Sequence, residues 1–157
     1  MINFIISRHE KLKPMPDIYH AYPINANPAR VFEGIATSKG LDSWWSKNST
    51  GNPSVGAVYV LDFGPEHQWK AVVTKCISDT AFELEFTEAM DDWIGSKVGF
   101  VLNHADNLTW VHFYHTGWPE LSEHYKISTY CWAMYLRILK RHIEHGESVP
   151  YEQRLDV

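Results

Sequence analysis

Histidine is the side chain best suited to bind a metal or move a proton near neutral pH, and this chain of 157 residues carries nine. His142 and His145, in "HIEH", stand three apart, close enough on a helix to share an ion. No HExxH and no Cys/His cluster accompanies them, and they fall at a basic helix end where the helix dipole favours cations. No metal site is expected. His112 and His115 lie an odd number apart on a β-prone run, so they face opposite sides of a strand and cannot pair. Gly-x-Ser-x-Gly, a P-loop and a dinucleotide fingerprint are all missing from the sequence, so no cofactor is expected. What remains is His115, which with a nearby Tyr or Glu could act as an acid or base in an apolar pocket.

The second chemical resource is aromatic. The chain has seven Trp, eight Tyr and seven Phe. In "GLDSWWSKNSTGNPSVG", Trp44 and Trp45 stand side by side and a polar, loop-like stretch follows. Each indole can bury roughly 150–250 Å². Neighbours on a helix point about 100° apart, so one face cannot take both. One indole is expected in the core and the other at the rim of a cavity.

The totals bound the class. Apolar content of 45% and charged content of 21% are ordinary for a single globular domain of this length. Net charge is −5 with a pI near 6.0, so no basic field offers a nucleic-acid groove. Cys76 and Cys131 form neither CxxC nor a disulfide framework. The apolar run before Arg8 and His9 is too short for a signal peptide, and no stretch approaches the roughly 18 apolar residues that span a bilayer. A cytoplasmic protein without membrane insertion is expected.

These residues need elements to position them. Residues 1–16 read as an N-terminal extension, 17–147 as one domain and 148–157 as a loop-like tail. "IYHAYPI" is β-prone. Asn27 and Pro28 then open a helix with the stripe Val31, Phe32 and Ile35, and a second short helix carries Leu41 up to the tryptophan pair. Five runs of strand character follow. "AFELEFT" alternates Phe82, Leu84 and Phe86 against Glu83 and Glu85. The closing segment has Ser122 as N-cap, Gly146 as stop, and Tyr125, Ser128, Trp132, Leu136, Leu139 and Ile143 at helical spacing. The order predicts an α+β fold: a curved antiparallel sheet of about six strands around a long C-terminal helix, with two short helices after the first strand.

At this point the chain resembles the SRPBCC superfamily, the START-like or birch-pollen-allergen-like helix-grip proteins. Within it, the chain is most similar to the branch named after the C-terminal domain of the heat-shock-protein-90 ATPase activator. "INANPARVFEGIATSKGLDSWWS", "NLTWVHFYHTGW" and "YCWAMYLRILKRHIEHG" carry the likeness, over about residues 18–146. Cys131 stands where the family often has Gly, and the late strand bears aromatics on both faces. The chaperone-contacting domain of the true activators has no counterpart in the sequence. The resemblance implies a container: a cavity between sheet and helix walled by Trp44, Trp45, Phe63, Trp69, Phe86, Phe100, Phe113, Trp132 and Leu136, with His115 as polar handle. A small apolar, aromatic or lipid-like ligand is the first expectation. The alternatives are a polyketide-cyclase- or hydrolase-like enzyme using His115, and a co-chaperone-like or homodimerising module.

Overall fold

The computed structural model describes residues 15–157. The expected extension, residues 1–16, therefore lies almost wholly outside the described residues. After β1 (Ile18–Ile24) the Asn27 side chain accepts a hydrogen bond from the Arg30 amide, and Pro28 takes the first position of α1 (Pro28–Ala36). Thr37 ends α1 and caps α2 (Ser38–Asp42) through its hydroxyl on the Gly40 amide. Then come β2 (Asn48–Thr50), β3 (Val58–Asp62), β4 (Gln68–Ile77), β5 (Ala81–Glu88), β6 (Lys97–Ala105) and β7 (Leu108–Thr116). Ser122 caps α3 (Glu123–His145), which stops at Gly146 in the left-handed conformation.

The strands form one antiparallel sheet in the order β1-β7-β6-β5-β4-β3-β2. Each hairpin places a strand beside its predecessor, and β1 closes on β7 with Ile18 opposite His115 and Ile24 opposite Thr109. The β4–β5 ladder shifts register at Lys70/Ala71 and at Val73/Lys75, the kind of irregularity that bends a sheet. Across the concave face lies α3, burying Ser128, Trp132, Leu136, Leu139 and Ile143. The α+β helix-grip architecture follows from this packing.

Two details differ from the sequence reading. The sheet has seven strands, because Asn48–Thr50 in the polar stretch after Trp45 pairs with β3. Three residues are too few for periodicity to mark, and the pairing is set by Ser49, whose amide donates to Asp42 and whose hydroxyl donates to Ser46. The tail after Gly146 is not a loop: Tyr151–Asp156 forms a 3₁₀ helix. Its Arg154 is buried and donates to the carbonyls of Asp42, Ser46 and Val149 at 2.6, 3.0 and 3.1 Å. The Tyr151 hydroxyl donates to the Phe63 carbonyl. The tail thus clasps the end of α2 and the exit of β3.

Candidate functional site

Strand alternation on β7 turns Thr109, Val111, Phe113 and His115 inward. His115 is 0% exposed and both its nitrogens are engaged. Trp132 Nε1 donates to His115 Nδ1 at 3.1 Å. That acceptance assigns the ring proton to Nε2, which donates to Ser96 Oγ at 2.9 Å. The Ser96 hydroxyl in turn donates to the Trp93 carbonyl at 2.6 Å. Burial, with a smaller contribution from the charge of His124, pushes the His115 pKa down to about 3. The imidazole is a neutral brace that ties β7 to α3 and to the β5–β6 connection. No face of the ring reaches solvent.

Around it the rings interlock. Trp93 sits 4.4 Å from His115, 4.9 Å from Trp69, 5.1 Å from Phe86 and 5.8 Å from Trp118, centroid to centroid. Trp44 and Trp45 stack at 5.8 Å and are 0% and 4% exposed. Trp44 Nε1 donates to the Gly34 carbonyl, which fixes α1 over the core. Trp45 packs between Phe63 at 5.3 Å and Trp132 at 5.0 Å. Edge-to-face and offset geometries of this kind add about 0.5–1.5 kcal/mol per pair beyond burial. The space expected between sheet and helix is largely filled by these rings.

Open space survives along the edges of α3. An aromatic cleft of about 220 Å³ lies between Ile127, Ser128, Cys131, Trp132 and Tyr135 of the helix and a wall of Trp45, Phe63, Trp69 and Trp93, with His124 and Tyr151 at its ends. Of the ten residues expected to wall a cavity, Trp45, Phe63, Trp69 and Trp132 line this cleft. Phe86 supports Trp45, Trp69 and Trp93 from behind. Trp44, Phe100, Phe113 and His115 pack deeper, and Leu136 lines a separate depression beside β1. Trp93, Tyr135, His124 and Tyr151 were not foreseen. Trp93 and Tyr151 lie in segments without periodicity. Their size was the only available signal, since a tryptophan in a short connection rarely stays in water.

The lining is close to uncharged. Burial raises the Tyr135 hydroxyl pKa to about 12, and burial raises those of Tyr151 and the Cys131 thiol as well. His124 Nδ1 meets Asp92 Oδ2 at 2.7 Å, which pairs the basic group that lines the cleft among the described residues. Stacking faces with a few neutral donors are suited to a flat, neutral, apolar molecule.

The outer face of the sheet has a different chemistry. Tyr19 is 67% exposed and Trp110 40%, with His112 exposed between Trp110 and Tyr114 along β7. Tyr114 lies over Gly99, where a Cβ would collide with its Cζ and hydroxyl oxygen, and its hydroxyl donates to Glu83. Burial alone would raise the Glu83 pKa. Hydrogen bonds from Tyr114 and Thr74, and the charges of Lys97 and Lys75, hold it below the usual carboxylate range instead.

Among known proteins, residues 25–144 match the sequence model of the family described as "Activator of Hsp90 ATPase homolog 1-like protein". The solution structure of the Aha1 dimer from Colwellia psychrerythraea is similar at 28% identity and a TM-score of 0.78, over 85% of this chain and 100% of that one. Protein MLL2253 from Mesorhizobium loti shares the fold at 14% identity and a TM-score of 0.75, over 84% of this chain and 99% of that one. CalU16 from Micromonospora echinospora shares it at 15% identity and a TM-score of 0.68, over 89% and 81%. No curated protein sequence matches.

Proposed function

The chain belongs to the Activator of Hsp90 ATPase homolog 1-like family of helix-grip proteins, and from that premise we propose that it binds a small, neutral aromatic or apolar molecule in the cleft beside α3. The observation that carries this reading is the cleft's wall: Trp45, Phe63, Trp69, Trp93 and Trp132 converge on one opening whose polar groups are uncharged hydroxyls and a thiol beside the His124–Asp92 pair. At about 220 Å³ it lies just below the roughly 300–1,000 Å³ of most small-molecule sites, which favours a ligand of one or two fused rings. Titrating the protein with 2-naphthol tests it. Saturable heat and quenching of tryptophan emission are expected, and Cys131→Phe, which fills the cleft, should abolish both while the circular dichroism stays native. Binding that is not saturable, or that Cys131→Phe leaves unchanged, rules the cleft out.

A second reading has its own support. The similar Colwellia protein is described as a dimer, and the exposed rings of Tyr19, opposite Tyr114, and Trp110, opposite Pro23, stand on one outer face of β1 and β7. A homodimer through that outer face is the alternative, since exposed aromatic patches commonly mark interfaces. The catalytic alternative has the least support, because His115 has no free nitrogen and no exposure.

A further inference from the structure

On the far side of α3 from the aromatic cleft, a groove of about 520 Å³ runs between the helix and the C-terminal segment. Its floor is apolar: Met134 and Ile138 from α3, Val149 and Val157 from the tail. A second depression of about 340 Å³ lies on the β1 side, bordered by His20, Tyr22 and Leu136. The two share a wall made by Ala133, Arg137 and Lys140, which stand at i, i+4 and i+7 on one helical row. Ala133 keeps that ridge low.

The charges on the ridge are unequal. Lys140 Nζ is held by Glu144 and the Pro23 carbonyl, and Arg141 by Glu147. Arg137 is exposed and forms no hydrogen bond or ion pair among the described residues. In the depression beside it, the His20 Nε2 and Tyr22 hydroxyl atoms are buried without a hydrogen-bond partner among the described residues. A free guanidinium thus stands between a polar hollow and an apolar trough, on a molecule whose net charge is −5. An aliphatic chain suits the trough, where Met134 can adapt to its shape. A carboxylate suits the guanidinium, which presents donors in a fork.

We propose that this face of α3 binds a straight-chain aliphatic carboxylate, its chain against Met134, Ile138, Val149 and Val157 and its head group on Arg137. The site is separate from the aromatic cleft and does not depend on that cleft being occupied. Calorimetric titration of the full 157-residue chain with decanoate, below its micelle concentration, tests it. One saturable site is expected, unchanged in Cys131→Phe. In Arg137→Gln it should weaken at least about tenfold, as for loss of a charge-assisted contact. Methyl decanoate should bind more weakly, and equally to wild type and Arg137→Gln. Three outcomes overturn the proposal: no saturable binding below about 1 mM; decanoate binding lost in Cys131→Phe but kept in Arg137→Gln; or an effect of Arg137→Gln on sedimentation alone, which would make the groove a contact between copies.

Discussion

His115 shows how a chemically able residue becomes structural. Its proton is fixed on Nε2 by the indole of Trp132, and its folded-state pKa near 3 lies far below the unfolded value of about 6.5. Below pH 6.5 the unfolded chain therefore binds a proton that the folded chain refuses. The neutral imidazole contributes stability that is complete above that pH and is lost as pH falls toward 3. Between pH 7 and pH 5 this one group should remove about 2 kcal/mol. In urea unfolding, His115→Asn should lose about 1–3 kcal/mol at pH 7 through its broken bond to Ser96, yet fall less than wild type on going to pH 5. Parallel losses in the two proteins would mean that His115 is not held neutral. The inward direction of His115 was legible from the alternation of β7. Its role was not, because Ser96 lies 19 residues away in sequence and no spacing rule ties it to Trp132.

At the scale of elements, two contacts tie neighbouring elements together. Gly99 lets Tyr114 lie across β6 to reach Glu83, joining β5 to β7 over the intervening strand. Gly99→Ala should push the ring away and destabilise the protein by about 1–3 kcal/mol, with Tyr114→Phe recovering only part, because the Cβ would meet ring carbons Cζ and Cε2 as well as the hydroxyl oxygen. A thermal melt of both variants and their combination reads this. The tail makes a different join. Arg154 donates to three backbone carbonyls at the end of α2 and in the tail. Arg154→Ala leaves Asp42 and Ser46 carbonyls without their donor and should cost about 2–4 kcal/mol. It should also free Tyr151, so accelerated proteolysis near residue 150 is expected; an unchanged cleavage rate would contradict the clasp. The helices and six of the strands were readable from caps and periodicity, with Asn27, Ser122 and Gly146 marking helix ends. The tail was not, since "PYEQRLD" has neither an apolar stripe nor a capping pattern, and only the docked partner gives Arg154 its place.

For the whole molecule, the sequence pointed to a container and the structure shows a packed aromatic interior with space at its borders. Residue types told which side chains turn inward. They could not tell whether the rings would leave a void, because that depends on offsets of a fraction of a ring between strands and α3. The outer face was legible in advance as aromatic on β7, and Tyr19 from β1 extends it. If copies associate through this face, Trp110→Glu should convert a dimer into a monomer in sedimentation at fixed concentration, with the melting temperature of the monomer little changed. A wild-type chain that sediments as a monomer at the highest workable concentration would remove the dimer reading. The tryptophans carry one more consequence. Trp44, Trp45, Trp69, Trp93, Trp118 and Trp132 form a connected chain of neighbours 4.9 to 6.4 Å apart, and Trp110 alone stands outside it on the opposite surface. Indoles that close exchange excitation, so light absorbed anywhere in the cluster migrates until it meets the deepest trap. A single quencher seated against Trp69 would dim six emitters together and leave the seventh shining, giving the protein two optical channels: one for its interior and one for its surface.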